Sequence, residues 1–146
     1  MITANQVAEY ILSVSCPSEG DIISHLKLQK LLYYSQGFYL AMHDTPLFAQ
    51  AIHHWDHGPV VPDAYQHYKQ YGQSALPIPV GFDDSVISQM EKEVIDEVLI
   101  VYGQFSALKL NQMTHGESPW AETGDNDEIS HDQLKTYFRS QLVDAE

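Results

Sequence analysis

Apolar residues recur at helical spacing along most of the chain. Thr3 and Gln6 stand at capping-box spacing, and Val7, Ala8, Ile11 and Leu12 follow three and four residues apart, which predicts a first helix. Ser24 is placed to cap a second, in which Leu28, Leu31, Leu32, Ser35, Tyr39 and Met42 form one stripe, and this predicts a helix over 25–43. Gly37 lies inside it at a cost of about 1 kcal/mol against alanine. Close approach of another element at that point would explain the glycine. Between the two helices, "CPSEGD", 16–21, reads as a turn.

The pattern changes at "TPLFAQAIHHWDHGPVV", 45–61. Pro46 and Gly58-Pro59 bracket an aliphatic and aromatic stretch, the signature of a short hairpin or irregular strands near 47–61. Pro62 suits a first helical turn and Gly72 an end, so 62–71 is predicted as a short helix with Ala64, Tyr68 and Tyr71 along one side. The two prolines of "ALPIPVGF", 75–82, favour an extended segment. Asp83, Asp84 and Ser85 are expected to open the next helix. Its inner face would carry Ile87, Met90, Val94, Ile95, Val98, Leu99 and Tyr102, and Gly103 would end it. Ser106 starts a shorter helix that stops before Gly116. Ser118-Pro119 has the order of an N-cap followed by proline. After the acidic loop 123–128, Ser130 and Gln133 have capping-box spacing, with Ile129 and Leu134 as a staple and Tyr137, Phe138 and Leu142 to dock the last helix. The expected fold is mainly α: a single compact helical domain over 1–146 with one small β element, and no internal repeat or linker.

Composition narrows the function. The chain has 146 residues, 44% of them hydrophobic, which suits one globular domain. Apolar runs such as "VLIVY", 98–102, are far too short to span a bilayer, and "MITANQVAEY" has no basic leader segment. One cysteine, Cys16, excludes an internal disulfide. A soluble, cytoplasmic protein is expected. Seven basic residues stand against twenty acidic ones, a net charge of −13, and 83–146 alone holds fourteen acids against four bases. Such a field repels nucleic-acid backbones and attracts basic partners. Lys27 and Lys30 alone do not make a nucleic-acid patch.

Candidate chemistry concentrates in "HHWDHGPVVPDAY", 53–65. His53, His54, Asp56 and His57 are metal-ligand types. On an extended strand, however, His53 and His57 lie about 13 Å apart, and alternate residues face opposite ways. Polar surface histidines are the simpler reading, and no metal or other cofactor is expected. No nucleophile elbow and no phosphate loop occurs. Glu93 and Glu97, at i and i+4, read as a solvated face.

Four stretches in order carry a resemblance: "LKLQKLLYYSQGFYLAMHDTPLF", "GPVVPDAYQHYKQYG", "VYGQFSALKLNQMTHGESPW" and a closing "YF". Together they resemble the Panacea antitoxin domain, the phage-associated GepA-like and SocA-like family, over roughly residues 3–140. The resemblance implies a protein that is not an enzyme. It would be an antitoxin of a two-gene toxin–antitoxin system, frequent in prophages and other mobile elements, that binds its toxin directly. One branch of the family acts as a proteolytic adaptor for the ClpXP protease. The implied partners are a cognate protein toxin encoded by the adjacent gene and a ClpXP-type protease, without nucleic acid or membrane; a homodimer stays open. The family's recurrent positions fall here on Gln29, Lys30, Gly37, Gly58, Pro59, Pro62 and Pro119 as structural residues. Trp55, His57, Tyr65, Tyr68, His115 and Trp120 are the candidate partner contacts. Gln29, Lys30, Gln36, Thr114 and His115 would stitch the core together or line a cleft. The competing expectation is a small hydrolase of phage or mobile-element origin, using His57 or His115 with a carboxylate. It requires those groups to converge in one cleft.

Overall fold

The computed structural model of the chain describes residues 1–15 and 22–142. The turn expected at 16–21, with Cys16, lies outside the described residues. The first helix, α1, spans Ala4–Ser13 and starts from the expected Thr3–Gln6 capping box. The second, α2, spans His25–His43 and is capped by Ser24. Then come β1 (Ile52–Trp55), β2 (Gly58–Val60) and α3 (Pro62–Tyr68), which continues as a 3₁₀ turn over Lys69–Tyr71. The second half holds α4 (Gln89–Tyr102), α5 (Ala107–His115), α6 (Ser118–Ala121), β3 (Glu128–Ile129) and α7 (His131–Leu142). Among the described residues no helix is long and apolar enough to cross a membrane.

Helix α2 runs through the middle of the molecule. Helices α4, α5 and α7 and the strand β2 pack around it, with α1 and α3 at its sides. This is why the predicted stripe proved too narrow. Leu28, Leu31 and Leu32 are buried as expected, but so are Gln29, Lys30, Tyr33, Tyr34 and Gln36 on its other faces. Met42, assigned to the stripe, is 53% exposed at the helix end. Gly37 has the predicted role: a Cβ there would run into the ring of Phe138 from α7. Tyr34 stacks on Tyr102 of α4 with centroids 3.9 Å apart, and the edge of Tyr33 meets Phe138 at 5.4 Å. Such aromatic contacts add to the area they bury.

Three boundaries moved. Asp83–Ser85 do not open α4. Asp83 caps a short 3₁₀ turn over Asp84–Val86, Ile87 is extended, and α4 begins after a second capping box, Ser88 with Glu91. Met90, in the first turn of α4, is half exposed, whereas Ile87, Val94, Ile95 and Val98 are buried. Glu117, rather than Ser118, occupies the cap position of α6. The acidic loop ends in β3, which pairs antiparallel with β1 to make a sheet of order β2-β1-β3. Lys27 donates to the Gly103 carbonyl at 2.7 Å, holding the end of α4 against the start of α2. A cation at a helix C-terminus also suits the helix dipole.

Candidate functional site

The hairpin corner is built around Gly58. Trp55 pairs with Gly58, so Asp56 and His57 alone make the turn. Gly58 has φ +101°, and a Cβ there would stand 2.9 Å from Asn111 Oδ1, 2.9 Å from Lys30 Cε and 3.1 Å from Thr114 Oγ1. Pro59 follows in β2, an edge strand, where a residue without an N–H is tolerated. The Val61 N–H donates to Gln29 Oε1 at 2.9 Å, and Pro62 opens α3. The Gly-Pro-Val-Val-Pro run is thus tied to α2 and α5 beneath it before it launches α3. Gly58→Ala combines backbone strain with overpacking and is expected to cost about 3 kcal/mol, read as a lowered urea midpoint.

The histidines, expected to point outward, divide. His57 is exposed on the turn and His53 is half-buried. His54 is buried, which corrects the expectation. Its ring stacks on Trp120 with centroids 3.9 Å apart and planes at 13°. Its Nδ1 lies 2.7 Å from the Trp120 carbonyl, and its Nε2 lies 3.3 Å from Asp125 Oδ1. The cause is the acidic loop, which folds back on β1: His54 N–H donates to Asp127 O, and Asn126 N–H donates to His54 O. No local pattern announces that return.

His115 lies against the same indole, centroids 3.9 Å apart. Its Nδ1 faces Asn111 O at 2.6 Å and its Nε2 faces Asp56 O at 3.2 Å. Trp120 Nε1 donates to Trp55 O at 3.0 Å. Residues of α5 and α6 thereby brace the hairpin. Trp55 meets Tyr65 edge-on at 5.0 Å. Trp55, Tyr65, His115 and Trp120 are half-buried and lie at the corner with exposed His57. Tyr68, whose ring meets His67 and Tyr71 of its own segment, is 5% exposed, and Pro119 is buried, so neither offers surface to a partner. A polar depression of about 380 Å³ opens beside the corner, lined by His54, Trp55, Asp56, His57, Asp125 and Asn126. Neither His57 nor His115 pairs with a carboxylate among the described residues; the histidine that does is His54. No group of three or more His, Cys, Asp or Glu among the described residues is placed to hold a metal ion.

The polar residues on α2 mostly stitch. Gln36 accepts from Leu47 N–H at 2.6 Å and donates to Phe48 O at 2.8 Å, fixing the approach to the hairpin. Lys30 differs: it is 1% exposed, and no ion pair among the described residues includes it. Burial lowers its ammonium to about 8. The unfolded chain, with lysine near its ordinary value of about 10.4, then binds more protons than the folded one, so this group adds stability as pH is raised from about 8 toward 9. Burial holds the Tyr33 and Tyr34 phenols above their ordinary value, so above about pH 9 the unfolded chain loses phenol protons that the folded chain keeps, and this opposes the rise. Lys30→Met should add about 3 kcal/mol of stability at pH 7 and remove the lysine's share of the change between pH 7 and about pH 9, as urea unfolding at the two values would show.

Glu117 was missed by sequence reasoning. Its Oε1 accepts from Tyr33 OH at 2.9 Å and its Oε2 from Tyr34 OH at 2.8 Å. Burial raises its carboxyl above the ordinary range, while the two phenols pull it down. The available signal was one acid in "HGESPW" facing a "YY" pair on the central helix.

Residues 28–121 match the family model described as "Antitoxin SocA-like, Panacea domain". The matched span contains α2 from Leu28 onward, the hairpin, α3, α4, α5 and α6. Among curated proteins, the chain is 30% identical over 131 residues to Antitoxin SocA of Caulobacter vibrioides (strain NA1000 / CB15N), covering 82% of this chain and 69% of that protein. No solved structure matches. The hairpin and the α5 and α6 residues that brace it lie inside the matched span, and this chain belongs to the SocA-like, Panacea-domain antitoxin family.

Proposed function

We propose that the protein is the antitoxin of a toxin–antitoxin pair and neutralises a toxin protein, encoded by the adjacent gene, by direct and stoichiometric binding. The observation that carries this reading is the similarity to Antitoxin SocA across most of the chain. The corner formed by Trp55, His57, Tyr65, His115 and Trp120 supports it. His115 and Trp120 are held by hydrogen bonds to backbone carbonyls and Trp55 meets Tyr65 edge-on, so the half-buried Trp55, Tyr65 and Trp120 present a braced aromatic surface of the residue types that dominate binding energy at interfaces. The acidic second half of the chain adds a steering field for a basic partner. In this reading the protein works in the cytoplasm and performs no catalysis.

Co-expression tests it. Growth should recover only when antitoxin and toxin are produced at roughly equal levels. Rescue by a small fraction of an equivalent would contradict simple capture. If that rescue disappeared in cells lacking ClpXP, the protein would be a proteolytic adaptor. If it persisted there, a hydrolase would be the better reading, and the pair of buried His54 with exposed Asp125, beside the polar depression, would be the first place to mutate.

A further inference from the structure

The corner is not the only surface shaped for a partner. Between the C-terminal half of α2, one flank of α4 and the end of α7 runs a groove of about 460 Å³. Its lining is mostly apolar and includes Phe38, Met42, Met90, Val101 and Leu142. Met42, Met90 and Val101 are 53%, 50% and 41% exposed. The three open into one furrow and do not stand scattered, and contiguous exposed apolar surface of this kind marks binding grooves. Glu93 and Glu97 line the same furrow one helical turn apart, and neither takes part in an ion pair among the described residues. The stretch of α4 from Met90 to Val101 extends about 16 Å, three turns of helix.

We infer that this groove receives an amphipathic helix of about three turns from a protein partner, with aliphatic anchors on one face and Lys or Arg beside them. The inference rests on the reading of the chain as a protein-binding antitoxin and names the segment of the toxin it would hold. Charge chooses the occupant. A second copy of this chain carries −13 and meets two carboxylates of its own sign. Residues 143–146, Val-Asp-Ala-Glu, likewise bring acids to acids. A basic helix would neutralise Glu93 and Glu97 while its anchors cover Met42, Met90 and Val101. Methionines on both sides let the furrow adapt to anchors of different shape.

The test uses the full chain and a fluorescein-labelled 18-residue peptide, Leu at i, i+4, i+7 and i+11 and Lys at flanking positions, read by anisotropy. The peptide should bind, and a scrambled peptide of equal composition should bind about ten-fold more weakly, because the anchors no longer share a face. Met42→Glu with Val101→Glu, both at exposed sites, should weaken binding about ten-fold. Glu93→Gln with Glu97→Gln should weaken it about five-fold and flatten its salt dependence. Asp63→Asn with Glu128→Gln, exposed acids outside the groove lining, should change nothing. Equal binding of both peptides, or no effect of the groove variants, overturns the inference. So does a dimer, seen by light scattering, that the Met42/Val101 variant dissolves while peptide binding is unaffected. Capture of the adjacent gene's product separates the two readings. If the native chain captures it and the groove variant captures it equally, the groove is not the toxin site and the antitoxin reading stands. If the native chain captures nothing while the groove still selects the facial peptide, the groove stands and the antitoxin reading fails.

Discussion

Leu31→Asp is expected to leave the chain unfolded at 25 °C. Leu31 lies on α2, the helix around which the other elements pack, and its side chain is fully buried. The substitution removes aliphatic contacts worth about 2–5 kcal/mol and puts a carboxylate where none of its hydration can be replaced. The combined loss of about 5 kcal/mol or more matches the whole stability of many domains this size. Circular dichroism and a thermal melt would read the result. An unchanged melting temperature would show that α2 is not the core. Leu31→Met, similar in volume, serves as control and should cost under about 1.5 kcal/mol.

Glu117→Ala should cost about 4 kcal/mol, although the residue is only partly buried, because it leaves two buried phenol hydroxyls without an acceptor. The signature is non-additivity. In a chain that already carries Tyr33→Phe and Tyr34→Phe, the same Glu117→Ala change should cost far less, since no donor remains to be orphaned. Equal costs in both backgrounds would mean that Glu117 acts through α6 capping and not through the tyrosines.

Much of the helical framework was legible locally. Thr3–Gln6, Ser24 and Ser130–Gln133 cap where their spacing says, since a cap is satisfied within one turn and needs no distant partner. Gly37 signalled close packing, and Gly58-Pro59 signalled a turn, for similar reasons. A local pattern can also mislead. Asp83–Ser85 looked like a helix start, but the Ser88–Glu91 box next to it takes that role. There the Glu91 carboxylate accepts from the Ser88 N–H, which completes the box.

The amino-acid sequence by itself determined the mainly helical class, most element positions, the strong negative charge and membership of an antitoxin family. These depend on residue types and on spacings of three, four or two residues, which the chain carries wherever it goes. Only the tertiary structure decided what faces what. It buried His54 by folding the acidic loop onto β1, buried Tyr68 on α3, joined Glu117 to two tyrosines more than eighty residues away, and opened the groove beside α4. Each of these comes from contacts between segments remote in sequence. Their partners are selected by the packing of the whole chain around α2, and no local pattern encodes that choice.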